Sequence, residues 1–222
     1  ALFLGLFLYL LIRREFWLCF LTGSALASTD AASVFSVLRS QKLDLKENTA
    51  SILELESGSN DPMAYMLTLV CLSFLTGEAD AGSILRLLTT QIVFGIAIGA
   101  LCGLLSYRIL KSVSFEVDGF DVIFIAGIAL FSYALSAALG GNGYLSTYLT
   151  GIILGNVKMD GKKNIVHFFD GLTGLMQMAV FFLLGLLATP SLLPGVLMSA
   201  VSVFLFLTLI ARPLAVKLLL LP

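Results

Sequence analysis

Four ionisable residues, Asp30, Glu56, Asp61 and Arg212, stand in stretches that are otherwise apolar. A charge inside a hydrocarbon layer is costly unless it is paired or hydrated, so each is a candidate for work on ions. Three are carboxylates, whose oxygens can hold a proton or a hard cation, and the fourth is a guanidinium suited to pairing with one of them.

Asp30 follows Gly23-Ser24-Ala25-Leu26-Ala27-Ser28-Thr29, a run of small and hydroxylated residues poorly suited to holding a helix against lipid. An opening of the helix near residues 27–32 is therefore expected. Freed carbonyls and the Thr29 hydroxyl then become oxygen ligands, and the two half-helix ends direct their dipoles into one cavity. The alternative is a continuous helix with a small-residue packing face.

Glu54-Leu55-Glu56-Ser57-Gly58-Ser59-Asn60-Asp61-Pro62 is far too polar for a lipid-facing surface. Glu56 and Asn60, four apart, share one face of a helix, whereas Asp61 is turned by about 100° towards a different neighbour. One helix can thus offer a pairing group and an ion ligand in different directions. Pro62 lacks an N–H and clashes with the carbonyl of Gly58, which predicts a local disturbance beside Asp61.

The elements that must carry these residues follow from composition. The chain has 222 residues, 59% hydrophobic and 12% charged, with a formal net charge of −1 and a mean hydropathy of +1.02. Such a composition excludes a water-soluble globule, and no Lys/Arg-rich run exists to neutralise a row of phosphates, which excludes nucleic acid as a partner. Lipid is the expected solvent, and one polytopic domain of about eight crossings the expected organisation.

Apolar runs fall at 1–12, 16–38, 49–76, 84–107, 121–139, 143–157, 164–188 and 195–221. Every backbone polar group in hydrocarbon must be satisfied internally, so these runs predict an all-α, polytopic membrane helix bundle. Lys and Arg are unequally shared: alternate connections around 39–48, 107–118 and 157–163 hold 8, and the other connections hold 3. The positive-inside rule places the richer set in the cytoplasm.

With that orientation and 1.5 Å per residue, Asp30 lies roughly 13 Å above the inner end of its helix, Glu56 about 11 Å, Arg212 about 14 Å and Asp61 about 18 Å. All four can meet near the bilayer middle, and Glu56 and Arg212 match in depth as an ion pair. The alternative for Arg212 is that it snorkels to the inner interface with Lys217.

Other polar and small residues have simpler readings. Gly95, Gly99 and Gly103 strip side chains from one stripe of their helix and predict close packing or an oligomer contact. Cys19, Cys71 and Cys102 lie in apolar runs without CxxC spacing and are expected to be packing residues. His167 is expected to be solvated beside the Lys-rich loop. Asp118, Asp121, Asp160 and Asp170 are expected in or near loops, offsetting helix dipoles.

At these residues the sequence resembles the monovalent cation:proton antiporters, the group of bacterial NhaP-type antiporters and animal sodium/proton exchangers. The match lies in Ser28-Thr29-Asp30, Glu56-Ser57-Gly58-Ser59-Asn60-Asp61, Gly140-Gly141-Asn142-Gly143-Tyr144-Leu145, Gly151-Ile152-Ile153-Leu154-Gly155-Asn156 and Ile210-Ala211-Arg212. The resemblance implies a secondary active transporter that exchanges Na⁺ or K⁺ for H⁺ by alternating access, and no enzyme. The aspartate matched by Asp61 then binds cation and proton in turn, with Asp30, Thr29 and Ser57 as further transient ligands of the metal cation. Asn60 is implied as a further ion- and proton-binding residue and marks the Asn-Asp branch, associated with one-for-one exchange, and Glu56 and Arg212 match a structural ion pair. Ala31 stands where the family often has proline, so that opening of the helix rests on small residues.

The resemblance further implies an internal fragment of a multi-pass protein of a cell membrane, such as the bacterial inner membrane, acting in pH homeostasis as a homodimer. Residues 1–76 and 195–222 then belong to the ion-translocation core and 77–194 mainly to interface and dimerisation helices. Partners are the bilayer, monovalent cations and protons, with no cofactor beyond the transported ions. Two rival readings are a cation channel with an acidic intramembrane site and an intramembrane aspartyl hydrolase using Asp30 and Asp61. The sequence has no Gly-x-Gly-Asp segment to support the hydrolase reading, which also leaves Arg212 without a role.

Overall fold

A computed structural model describes residues 1–29, 49–77, 80–113, 119–157 and 161–220. Among them every regular element is helical: α1 (Leu2–Ile12), α2 (Phe16–Ala25), α3 (Thr49–Leu75), α4 (Ala81–Ser112), α5 (Phe120–Ala138), α6 (Gly143–Asn156), α7 (Lys162–Leu187), α8 (Leu193–Phe206) and α9 (Arg212–Leu220). A short 3₁₀ turn, Pro190–Leu192, leads into α8, and a π-turn, Leu207–Ala211, joins α8 to α9. The expected all-α membrane bundle is thus observed.

Four helical segments among the described residues are long and apolar enough to cross a bilayer: Ala81–Ser112, Phe120–Ala138, Lys162–Leu187 and Pro190–Leu218. That is fewer than the eight apolar runs, for physical reasons. The 14 residues of α6 reach about 21 Å, short of a hydrocarbon core of about 30 Å. Helix α3 has the length, with 27 residues, but its acidic segment lowers its hydropathy. Outward-facing apolar side chains such as Leu187, 81% exposed, and Met198, 79% exposed, suit lipid and not water.

Described residues of Ala1–Thr29, Met63–Ala79 and Phe182–Pro222 form one compact unit, and those of Asp30–Pro62 and Asp80–Phe181 form a second. In the first unit, α1 ends at Arg13, whose left-handed backbone (φ 53°) turns the chain into α2. The two helices touch backbone to backbone, since a Cβ on Gly23 would come within 2.7 Å of the Gly5 nitrogen. Leu4, Leu8 and Cys19 form the small core there, against Val203, Phe206 and Leu207. Phe7 stacks on Phe206 at 4.0 Å, and Trp17 on Phe74 at 3.7 Å.

In the second unit, α4 begins with a capping box. The Asp80 carboxylate accepts from the Gly82 and Ser83 N–H groups, and the Ser83 hydroxyl oxygen accepts from the Asp80 N–H. The glycine stripe is an intramolecular contact: a Cβ on Gly95, Gly99 or Gly103 would meet Asn142 and Leu145, Ser146 and Leu149, or Ile153, all on α6 or its N-cap. Helix α5 closes the group through Ser132, whose hydroxyl lies 2.7 Å from that of Ser146 and 3.0 Å from that of Thr150. Glycines at positive φ mark its ends, Gly119 before α5 and Gly140 after it.

The three cysteines are buried and free, as expected of packing residues. His167 is exposed on α7. Asp121 lies in the first turn of α5, but Asp170 lies more than two turns into α7, too far from its start to offset the dipole there. Asp118 and Asp160 lie outside the described residues.

Candidate ion-binding site

Helix α2 stops at Ala25; Leu26 and Ala27 form a turn, and Ser28 and Thr29 are non-helical. The run of small residues therefore does end the helix, where hydroxyl side chains compete for backbone groups. Ser24 shows that competition, donating its hydroxyl to the Phe20 carbonyl at 2.9 Å. Thr29 is half-buried, and Asp30 lies outside the described residues.

Helix α3 remains α-helical from Thr49 to Leu75 with Pro62 inside it. The expected disturbance beside Asp61 is thus confined to the one hydrogen bond that a proline cannot donate. Within this helix the two oxygens of Glu56 are both engaged. Asn60 Nδ2 donates to Oε1 at 3.2 Å, and Ser57 Oγ donates to Oε2 at 3.3 Å. Ser59 Oγ donates to the Glu56 carbonyl at 3.1 Å. Ser57 is buried at 1% exposure, Asn60 is half-buried, and Asp61 is exposed. The four-residue spacing thus brings Glu56 and Asn60 together.

Helix α6 covers this segment from the side. A Cβ on Gly58 would fall on the Tyr148 ring, so only glycine admits the ring to the α3 backbone at that turn. One and a half turns earlier on α6, Asn142 Nδ2 donates to the Pro62 carbonyl at 3.1 Å. Neither Tyr148 nor the role of Asn142 follows from local sequence. The usable signal was Asn142 before Gly143, an N-cap residue at the head of an apolar run.

At its far end α6 is capped by Lys162, whose Nζ donates to the Gly155 carbonyl and, at 3.4 Å, to that of Val157. A cavity of about 240 Å³ nearby, lined by Ile125, Ala129, Leu154, Ile165 and Phe169 among others, holds none of the expected ion-binding residues.

Arg212 is the first residue of α9 and follows the π-turn Leu207–Ala211. Pro213 supplies the cause: it has no N–H to donate and would clash with the Leu209 carbonyl in a regular helix, and the wider turn relieves both. Arg212 belongs to the first compact unit and Glu56 to the second.

The profile of the family described as "Sodium/hydrogen exchanger, transmembrane" matches residues 1–222. The chain belongs to this family. It is 40% identical over 205 residues to the K(+)/H(+) antiporter NhaP2 of Shewanella oneidensis, covering 91% of the chain and 35% of that protein. The K(+)/H(+) antiporter NhaP of Alkalimonas amylolytica is 38% identical over 203 residues, again with 91% and 35% covered. The probable Na(+)/H(+) antiporter 2 of Methanocaldococcus jannaschii is 29% identical over 209 residues, covering 88% of the chain and 48% of that protein. The chain therefore spans about a third of the length of the NhaP-type relatives, and the fragment reading fits that coverage. As an exchanger-family chain with several membrane-crossing helices, it is part of a multi-pass membrane protein.

Proposed function

We propose that the complete protein exchanges a monovalent cation, Na⁺ or K⁺, for H⁺ by alternating access, with cation and proton competing for Asp61. The observation that carries this reading is the division of labour on α3. Ser57 and Asn60 bind both oxygens of Glu56, which suits a structural carboxylate, while the exposed Asp61 is turned about 100° from Asn60 round the helix, towards a different neighbour.

Competition for one carboxylate couples the two flows without separate pathways, because only the neutralised site crosses between inward- and outward-open states at low cost. Asp30, Thr29 and Ser57 complete the oxygen set for a transient cation, Asn60 orients the segment, and Arg212 balances the Glu56 charge. Names of the NhaP-type relatives support K⁺ among the exchanged cations. Residues 1–76 and 195–222 serve as translocation core, 77–194 serve mainly as interface helices of a homodimer, and the setting is a bacterial inner membrane.

The test is proton flux driven by a K⁺ or Na⁺ gradient in vesicles containing the complete protein. Asp61→Asn should abolish coupled flux; normal exchange by that variant overturns the assignment, and voltage-driven uncoupled current in the unaltered protein would make it a channel.

A further inference from the structure

Asn142 has no exposed surface and divides its side-chain bonds between two elements. Its Oδ1 accepts from the Leu145 N–H at 3.0 Å, capping α6, and its Nδ2 donates to the Pro62 carbonyl at 3.1 Å. Its own N–H donates to the Gln91 carbonyl on α4 at 3.0 Å. One residue thus joins the first half of α4 and the head of α6 to the turn of α3 that directly follows Asp61.

The arrangement is more specific than a cap requires. Ser, Thr, Asp or Asn would satisfy the Leu145 N–H, but of these only the amide accepts there with one atom and donates with a second, separate atom that reaches a carbonyl on the other side. Its target is also particular. Pro62 cannot be held through its own nitrogen, so its carbonyl is the backbone atom of that residue by which a neighbour can grip the turn. Gly58, one turn earlier, is held by the Tyr148 ring, so α6 touches α3 on both sides of Ser59-Asn60-Asp61.

We propose that Asn142 is a positioning residue for ion binding at Asp61, its side-chain amide holding the Pro62 turn in register with α6. This rests on the reading of Asp61 as the exchange site. A carboxylate whose helical turn rocks between orientations offers its cation a poorly fixed oxygen. Lost orientation of a supporting group of this kind weakens metal binding by about ten-fold or more.

The experiment measures cation-dependent proton flux in vesicles of the complete protein for three variants. Asn142→Ser keeps a cap acceptor for Leu145 but cannot reach Pro62; Asn142→Ala removes both bonds; Asp61→Asn tests the underlying reading. If Asn142 positions Asp61, Asn142→Ser raises the cation KM by roughly ten-fold, while maximal flux per folded protein changes far less and the thermal midpoint stays near that of the unaltered protein. If Asn142 is only a cap, Asn142→Ser leaves KM unchanged and Asn142→Ala loses folded protein, which overturns the proposal. Retained exchange in Asp61→Asn overturns the underlying assignment instead, and is seen independently of either Asn142 variant.

Discussion

Glycine at position 99 is tested most directly by the one carbon it lacks. A Cβ there would lie 2.6 Å from the Ser146 carbonyl oxygen and 3.0 Å from both the Ser146 Cα and the Leu149 Cβ. Two of these three atoms are α6 backbone, which cannot rotate away, so α4 and α6 must part. Overpacking of this kind costs about 1–3 kcal/mol, against a gain of about 1 kcal/mol from replacing a helical glycine by alanine. The net for Gly99→Ala is a loss of up to about 2 kcal/mol, or several degrees of thermal midpoint for a chain of this size. Gly127→Ala is the control, because a Cβ on that glycine of α5 meets nothing within 4 Å; it should be neutral or stabilising. Gly103→Ala should fall between them, since the three atoms nearest its Cβ all belong to the Ile153 side chain. The assay is thermal unfolding of the complete protein in detergent, with folded protein followed by size-exclusion chromatography. Gly99→Ala melting at or above the midpoint of Gly127→Ala would refute a close α4–α6 contact at that turn.

Two further outcomes follow from the same unit, beside the flux tests of Asp61 and Asn142. Thr150→Val removes a hydroxyl that lies 3.1 Å from the Gly99 carbonyl and 3.0 Å from the Ser132 hydroxyl, and should lower stability by about 1–2 kcal/mol in thermal melts, with Ser132→Ala in the Thr150→Val background adding little. The Asp80 carboxyl is held below its ordinary value near 3.8, chiefly by hydrogen bonding to Ser83. A depressed carboxyl stabilises the fold above its unfolded pKa and loses that contribution as pH falls through the lower folded value. Asp80→Ala should therefore melt below the unaltered protein near neutral pH and converge with it in acid; a gap that persists unchanged at low pH would contradict the capping role.

Several features of the candidate site were legible because they are local. That Glu56 and Asn60 share a face follows from helical period alone, and the structure shows them hydrogen-bonded at 3.2 Å. The end of α2 at Ala25 was legible from the small, hydroxylated residues beyond it. The π-turn ahead of Arg212 was not anticipated, although Pro213 carried the signal. Pro62 misled in the opposite direction: one missing backbone bond does not interrupt a helix of 27 residues whose other bonds remain.

The glycine stripe shows where local reasoning stops. Its spacing announced a close approach but named no partner, and packing or an oligomer contact were equally compatible with it. The structure assigns the stripe to α6 of the same chain. With that register in place, Tyr148 reaches Gly58 and Asn142 reaches Pro62, contacts that join residues 80 or more apart along the chain.

By itself, then, the sequence determined the solvent, the helices and the bonds within one helix, because hydropathy and a 3.6-residue period act over neighbouring residues. Which helix covers the acidic segment, and which side chain holds the turn after Asp61, was decided only in the tertiary structure. Those contacts depend on how closely α4 and α6 approach, and that distance is set by the fit of opposing surfaces far apart in sequence.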